Sequence, residues 1–261
     1  MHTCTELYTF AENFNHTMAE RVVTPYDNSQ QGKKQQVTEM FDNISGTYDG
    51  LNRVISWGSD VKWRKKVVAK VAEVHPSQVL DVATGTGDLA IALTAIKGVK
   101  VTGLDISEGM LAVGREKVAK RGLTDRIEMQ QGDSEHLPFA DATFDAVTVG
   151  FGVRNFEDLN QGLSEIRRVL KPQGRLVVLE TSVPERFPFR QGYLFYTHYM
   201  MPLIGKLFSK DKAAYSYLSK SAIHFPYGKK FKAILDEIGY RDTAYYPQTL
   251  GGVATIYVAN K

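Results

Sequence analysis

Cysteine is nearly absent from the chain, since Cys4 is the only one among its 261 residues. A single cysteine excludes a disulfide framework and any zinc or iron–sulfur site that needs several thiolates, and it is typical of a reducing compartment. Long apolar runs are missing too: Leu176–Leu179 is typical, far below the roughly 20 residues that cross a bilayer. The first residues carry no basic segment followed by an apolar one, so we expect a cytoplasmic protein without a secretory signal.

Net charge is also low, +3 from 32 basic and 29 acidic residues, and by itself it indicates no nucleic-acid partner. Its distribution is uneven. Residues 184–232 hold nine Lys or Arg against two acidic residues, together with 12 of the 28 aromatic residues, while the rest of the chain has a net charge of −4. A basic, aromatic insert in an acidic protein favours contact with an anionic surface or with a large apolar ligand.

Three regions follow from composition and periodicity. Residues 1–33 are polar and aperiodic, so we expect a flexible arm, within which Met18 is an alternative start of translation. Residues 34–261 are expected to form one domain. It begins with helices over 34–76, and it contains the aromatic residues 184–232 as a helical insert.

From residue 78 the chain alternates short apolar strands with amphipathic helices, which predicts an α/β fold with a doubly wound, mostly parallel sheet of seven strands. The predicted strands are 78–83, 100–106, 127–131, 144–150 and 175–180, followed by a hairpin of 241–250 with 254–260. The predicted helices are 60–73, 89–96, one capped by Ser107, 159–170 and 229–238. We expect Trp57 and Trp63 to lie in the core.

A glycine loop follows the first of these strands. Gly85 and Gly87 lie where the strand meets its helix, and such glycines let the backbone turn sharply and let a ligand approach closely. Asp105, at the end of the next strand, lies 18 residues after Gly87, where a carboxylate accepts hydrogen bonds from both hydroxyls of a ribose. Two such glycines alone are weak evidence for a ligand, but together with Asp105 they indicate a nucleotide-like cofactor.

Charge distinguishes two candidate cofactors. A dinucleotide would place its pyrophosphate at the helix N-terminus, where this chain has Asp88, with Asp81 just upstream. A phosphate beside a carboxylate at ~4 Å costs roughly 4 kcal/mol at an effective dielectric constant of 20. S-adenosylmethionine has no phosphate and carries cationic sulfonium and ammonium groups. The sequence therefore favours S-adenosylmethionine over NAD.

A second polar group, Asp133 with Ser134, closes the third predicted strand. Loops at the carboxyl ends of parallel strands line one crevice, so we expect this pair to lie near Gly85 and Asp105 and to contact the adenine. The alternative is a turn followed by a helix cap.

Two longer motifs carry a resemblance to a known family. The first is Tyr48-Asp49-Gly50-Leu51-Asn52-Arg53-Val54-Ile55-Ser56-Trp57-Gly58, and the second is Arg168-Val169-Leu170-Lys171-Pro172-Gln173-Gly174-Arg175. With Phe151-Gly152-Val153-Arg154-Asn155 between them, the sequence resembles the ubiquinone/menaquinone biosynthesis C-methyltransferases (UbiE/MenG), within the class I S-adenosylmethionine-dependent methyltransferases of Rossmann-like fold. Asp60 departs from the family's usual His, and Gln173 from its usual Gly.

The resemblance implies methyl transfer from S-adenosylmethionine to a ring carbon of a prenylated quinol, either demethylmenaquinol or a benzoquinol. It maps Thr86, Asp105, Asp133 and Ser134 onto cofactor contacts. The N-terminal helices are expected to cover the cofactor as a lid. We assign no metal ligand.

Carbon methylation needs an electron-rich ring, so the substrate should be the quinol, and the protein must stabilise its phenolate. Arg154, in the loop after the fourth strand, is the residue that we assign to this role; the alternative is a surface salt bridge. Tyr48, Asn155 and Tyr199 are candidate substrate contacts, and the basic residues of the insert are expected to face membrane lipid. Another hydrophobic substrate, or a non-catalytic S-adenosylmethionine-binding regulator, remains an alternative, and the sequence leaves a homo-oligomer open.

Overall fold

The computed structural model of the chain describes residues 23–26, 29–200 and 212–261. Within these ranges the strands are β1 Gln78–Val82, β2 Lys100–Asp105, β3 Ile127–Gln131, β4 Phe144–Gly150, β5 Leu170–Thr181, β6 Arg241–Gln248 and β7 Ala254–Asn260. They form one seven-stranded sheet in the order β3-β2-β1-β4-β5-β7-β6. Neighbours among β1 to β5 are parallel, and β7 runs antiparallel to both β5 and β6. The predicted doubly wound, mostly parallel sheet is confirmed.

Helices cover both faces of this sheet. In the described part of the chain they are α1 Lys33–Ile44, α2 Tyr48–Ile55, α3 Ser59–Ala72, α4 Asp88–Leu93, α5 Glu108–Lys120, α6 Leu159–Val169, α7 Phe189–Phe195, α8 Lys212–His224, α9 Lys229–Ile238 and α10 Thr249–Gly252. Apolar residues of α3, α4 and α5 form one buried cluster with the sheet. Those of α6 and α9 form the cluster on the opposite face. Burial on both faces explains why the central strands are continuously apolar.

Most predicted elements begin and end within a few residues of the observed ones. The hydroxyl of Ser107 accepts a hydrogen bond from the amide of Met110 at 3.1 Å, as expected of the residue that caps α5. The main difference is β5, which begins at Leu170 and not at residue 175. Leu170 pairs with Phe144 of β4 ahead of a register shift, so the strand continues through a segment that reads as a turn.

A further layer lies over the carboxyl ends of the strands. Apolar residues of α1 pack there against Met110 of α5 and Tyr217 of α8. Val23 and Tyr26, from the segment predicted as an arm, pack against the same cluster, and Tyr26 N donates to the side chain of Gln36 at 2.9 Å. Residues 1–22, with Met18, lie outside the described residues. The ends of the strands are therefore covered by the N-terminal helices and by the insert.

The two tryptophans occupy different environments. Trp63 lies in the core, and its indole nitrogen donates to the hydroxyl of Thr249 at 2.9 Å. Trp57 follows the end of α2 with a positive φ of 50° and is 85% exposed. The prediction that Trp57 lies in the core was wrong, because the turn between α2 and α3 directs its ring to the surface. No helix in the described ranges has the length and apolar character needed to span a membrane.

Candidate active site

The loop after β1 is fixed to the end of β2 by Asp105. The Asp105 carboxylate accepts hydrogen bonds from the amide of Gly85 at 2.7 Å and from the amide of Ser107 at 2.9 Å. Burial raises the pKa of Asp105 to about 6, although these backbone donors lower it. Above that pH the carboxylate is ionised, and each oxygen keeps a second lone pair for a ligand.

Two glycines shape the cleft at this point. Gly85 has a φ of +55°, and a Cβ atom placed on it would meet nothing within 4 Å, so the backbone is open to a ligand. A Cβ atom on Gly152, after β4, would lie only 2.6 Å from the Cβ atom of Ala83. The ends of β1 and β4 therefore approach closely here because residue 152 has no side chain.

A first cavity lies between the strand ends and α1. It brings together Gly85, Asp105, Asp133 and Ser134, the residues predicted to hold a nucleoside, and it also includes Asn155. The cavity is narrow, about 70 Å³, because α1 lies across it. Lys34, Val37 and Phe41 of α1 form the outer wall of the cavity.

Lys34 is the side chain that fastens α1 across this cavity. Its ammonium lies 2.8 Å from Asp133 Oδ2 and 2.9 Å from Glu135 Oε2. Burial by itself would raise the pKa of Asp133, but the hydrogen bond from Lys34 holds it below its usual value. The Asp133 carboxylate is thus ionised, and one of its oxygens is already paired with Lys34 of α1.

A second, polar cavity continues from the first over the glycine loop. It is lined by residues that include Asp49, Arg64, Asp81, Thr86 and Asp88. The hydroxyl of Thr86 donates to Asp49 Oδ1 at 2.5 Å, which ties the glycine loop to α2. Gly87, with a φ of +77°, ends the loop and caps α4.

The two carboxylates on which the sequence argument against a dinucleotide rested are not free charges. Asp88 pairs with Lys117 and with Arg64, and these cations lower its pKa although burial would raise it. Asp81 accepts hydrogen bonds from the hydroxyls of Thr84 and Thr148, each at 2.6 Å, and burial raises its pKa to about 6. Repulsion of a phosphate is therefore weaker than their sequence positions predict.

A third cavity of about 470 Å³ opens between the N-terminal helices and the insert. Its walls are mainly apolar and aromatic, and they include Trp57, Trp63, Phe151, Phe189, Tyr193 and Tyr196. Tyr48 and Phe151 line all three cavities, so the three join at these two side chains. Tyr199 lies in the helical turn that follows α7, and its side chain is outside the described residues.

Arg154 lies in the wall of this aromatic cavity, with its side chain only 7% exposed. Its Nη1 donates to Glu180 Oε1 at 2.5 Å and to the carbonyl of Phe151 at 2.8 Å. Its Nε is buried without a hydrogen-bond partner in the described structure. Burial opposes the charge of Arg154, but Glu180 more than compensates and raises its pKa, so the guanidinium stays protonated. Arg154 thus forms a salt bridge, as the alternative expected, but the pair is buried and does not lie on the loop surface.

Glu180 is the functional residue that the sequence analysis missed. Its side chain is fully buried, and it follows four apolar residues at the end of β5. Burying a carboxylate in such a strand costs free energy unless it is paired with a cation. A lone acidic residue after four apolar ones was therefore the sequence signal for a buried ion pair. Glu180 is the buried ionic partner of Arg154.

Three tyrosines surround this ion pair. Burial raises the pKa of Tyr193 and of Tyr217 to about 12 and also raises the pKa of Tyr48. In each case the charge of Arg154 lowers the pKa and that of Glu180 raises it. The hydroxyl of Tyr217, a buried residue, donates to Asn155 Oδ1 at 3.1 Å and so orients Asn155. The other two phenols, Tyr48 and Tyr193, line the aromatic cavity together with the Arg154 cation.

This geometry suits a reaction between a nucleoside-bearing reagent and an apolar molecule with an acidic hydroxyl. Hydrogen-bond acceptors surround the first cavity, ionic groups the second, and aromatic walls the third. The protonated guanidinium of Arg154 is the cation in the wall of the third cavity, and a cation there suits an oxygen that develops negative charge.

Comparison with known proteins identifies close relatives. A model of the ubiE/COQ5 methyltransferase family matches residues 29–261. The demethylmenaquinone methyltransferase of Bacteroides fragilis is 47% identical over 241 residues, which are 92% of this chain and 97% of that protein. The ubiquinone/menaquinone biosynthesis C-methyltransferase UbiE of Geobacter sulfurreducens is 46% identical over 244 residues, 93% and 94% of the two chains.

Solved structures agree on the fold. A SAM-dependent methyltransferase from Thermotoga maritima superimposes with a TM-score of 0.61 at 17% identity, over 85% of this chain and 99% of that chain. The [4+2]-cyclase SpnF superimposes with a TM-score of 0.58 at 19% identity, over 87% and 96%. Because a cyclase shares the architecture, these likenesses concern the fold and leave the chemistry to the site. The family match and the two curated relatives, which cover 92% and 93% of the chain, show that it belongs to the ubiE/COQ5 methyltransferase family.

Proposed function

We propose that this protein is a demethylmenaquinone methyltransferase, which transfers a methyl group from S-adenosylmethionine to a ring carbon of demethylmenaquinol. The observation that carries the proposal is the junction of three cavities at Tyr48 and Phe151. Their chemistry suits in turn the nucleoside, the amino-acid part of the donor and a prenylated ring. The names of the Bacteroides and Geobacter relatives support it. Because the Geobacter name includes ubiquinone as well as menaquinone biosynthesis, a polyprenyl benzoquinol is the second candidate substrate.

The donor fits the residues present. Asp105 and the cleft at Gly85 would hold the ribose, Asp133 and Ser134 the adenine, and the glycine loop around Thr86 and Gly87 the amino-acid part. When bound, S-adenosylmethionine supplies an electrophilic methyl group on a sulfonium. Tyr48 and Phe151 would flank the place where the donor and the ring meet.

Arg154 would act on the quinol oxygen. The Arg154 guanidinium, which lines the aromatic cavity, would donate to the hydroxyl oxygen and stabilise the phenolate, whose ortho carbon then shares the negative charge. Because Glu180 keeps Arg154 protonated, the hydroxyl proton leaves to water. The ring carbon takes the methyl group while the electron pair of the broken carbon–sulfur bond stays on sulfur. That carbon then loses its own proton, and the oxygen regains one. One proton is therefore released overall, beside the methylated quinol and the demethylated donor.

An assay with labelled donor tests this function. The purified protein receives methyl-labelled S-adenosylmethionine with a demethylated prenyl naphthoquinol or benzoquinol, each kept reduced. We expect label in the naphthoquinol ring and none in the same compounds kept oxidised, because a quinone ring is electron-poor. Binding of the donor without transfer to either quinol would contradict the proposal and would support the regulator alternative.

We propose in addition that the protein is cytoplasmic and contacts the inner membrane face peripherally. Four exposed aromatic residues, here called the aromatic rim, support this: Trp57, Phe187, Phe189 and Phe195, exposed by 85%, 80%, 42% and 59%. Trp57 and Phe189 also line the aromatic cavity, so the rim lies at its mouth. Exposed Arg186 and Arg190 flank Phe187 and Phe189 in the chain, a combination that suits an anionic lipid surface.

Vesicle binding tests the rim. The double variant Phe187→Ser/Phe195→Ser removes two exposed rings that do not line the cavity. Since burying a phenyl ring contributes roughly 1.5–3 kcal/mol, we expect at least about tenfold weaker co-sedimentation with phosphatidylglycerol-containing vesicles. Tyr246→Ser, which removes an exposed ring on β6, is the matched control and should bind like the wild type. Equal binding by all three proteins would exclude the rim as the contact.

A further inference from the structure

Arg64 lies between the second and the third cavity and lines both of them. It projects from α3, and its side chain is 14% exposed. One nitrogen, Nη2, makes both of its ion pairs, with Asp60 and, at 3.0 Å, with Asp88. Asp60 is itself buried and accepts a hydrogen bond from the hydroxyl of Ser56 at 2.7 Å, which fixes its orientation. The guanidinium is therefore held from one side.

The remaining donors of Arg64 have no partner. Within the described chain, neither Nε nor Nη1 makes a hydrogen bond, although the side chain is largely buried. The other charged groups that line the second cavity are carboxylates: Asp49, Asp81 and Asp88. Lys117, the cation behind them, is already bonded to Asp49, Thr86 and Asp88. Arg64 is thus the cation of this cavity, in the part described, that retains donors for a ligand.

We infer that Arg64 binds the carboxylate of the donor's amino-acid part, and that Asp60 positions Arg64 for it. The inference rests on the proposed function. A guanidinium presents two parallel N–H groups, which match a carboxylate. Asp49, Asp60, Asp81, Asp88, Arg64 and Lys117 together carry a formal net charge of −2, and S-adenosylmethionine, with two cationic groups and one carboxylate, carries +1. The carboxylate therefore has one specific partner in a site that attracts the donor as a whole.

Decarboxylated S-adenosylmethionine is the probe, because it lacks only the group that Arg64 would bind. Calorimetry gives the Kd of each compound for wild type and for Arg64→Met, without any methyl transfer. We expect the variant to bind S-adenosylmethionine about 10- to 100-fold more weakly, the range of a charge-assisted hydrogen bond, and the decarboxylated compound unchanged or better. The measured quantity is the change in the ratio of the two constants.

Two further variants keep the test decisive. Arg64→Met leaves buried Asp60 without its cation, so the double variant Arg64→Met/Asp60→Asn is measured in parallel and should show the same change in ratio. Arg53→Met removes an exposed cation from the neighbourhood of Asp88 and should leave the ratio as in wild type. If Arg64→Met weakens both compounds equally, or neither, the inference is overturned while the proposed function stands. If the wild type binds no S-adenosylmethionine, both are overturned.

Discussion

Replacing Arg154 by Gln is expected to lower the rate of methyl transfer by about 10²- to 10³-fold, the cost of removing one donor to a developing oxyanion. Gln is neutral and lacks the guanidinium that Arg154 contributes to the cavity wall, so the phenolate loses its stabilising charge. Of the three cavities, Arg154 lines only the third, whereas the first two are the proposed donor site. If the donor occupies the first two cavities as proposed, kcat should fall while the Kd of S-adenosylmethionine stays within about twofold of wild type. Single-turnover assays with calorimetry separate the two quantities.

The control must account for Glu180. Arg154→Gln leaves that carboxylate buried without its cation, a change that costs about 3–5 kcal/mol in other buried pairs. The double variant Arg154→Gln/Glu180→Gln restores neutrality and should recover the melting temperature, yet its activity should stay low. Arg154→Lys, which keeps the charge but not the fork of donors, should be intermediate. Wild-type turnover by Arg154→Gln would remove this residue from the mechanism.

Much of the fold could be predicted because its strands obey simple rules. β3 and β4 were predicted residue for residue: β3 alternates buried and exposed residues at its start, and β4 is a short, largely apolar and buried run. The start of β5 at Leu170 could not be predicted, because it depends on a tertiary pairing with Phe144 across a register shift. The exposure of Trp57 could not be predicted either, because it depends on the positive φ that Trp57 itself adopts in the turn between α2 and α3.

The candidate site shows the same division. Gly85, Asp105, Asp133 and Ser134 meet in one cavity because the carboxyl ends of parallel strands converge, a property of the topology that sequence spacing already encodes. The pairing of charges is not encoded in this way. Glu180 meets Arg154, and Asp88 meets Lys117, across 26 and 29 residues. Which acids remain free to act on a ligand therefore becomes known only from the folded chain.

Replacing Glu180 by Gln is expected to have two separable effects, and the first is on stability. Arg154 would lose its buried counter-charge, so the free energy of unfolding should fall by about 3 kcal/mol, the lower end for a broken buried pair, since Gln keeps one acceptor oxygen. Thermal and urea unfolding measure this loss. Glu73→Gln is the matched control, because Glu73 pairs with Arg175 at 2.7 Å on the surface, with 48% exposure, and should cost less than about 1 kcal/mol.

The second effect is on ionisation, and its sign follows from the tyrosines. Glu180 raises the pKa of Tyr48, Tyr193 and Tyr217, so its removal should lower the pKa of these phenols in the free protein, measurable by tyrosinate absorbance. A quinol hydroxyl in the same cavity feels the same charge. Since activity should rise with pH as that hydroxyl ionises, Glu180→Gln should move the acidic limb of the kcat profile to lower pH. One charge at ~8 Å and an effective dielectric constant of 20 corresponds to a shift of about 1.5 units.

A purely structural role for Glu180 would give a different result. If Glu180 only holds Arg154 in place, its loss lowers kcat at every pH and leaves the limb where it was. If instead the acidic limb of the kcat profile moves to lower pH while the plateau value of kcat falls, the charge of the Arg154–Glu180 pair sets the pKa of the substrate hydroxyl. The pair would then explain why this chain has a carboxylate at the end of an apolar strand. Without that carboxylate, Arg154 would stabilise the phenolate so strongly that the ring carbon became a weaker nucleophile.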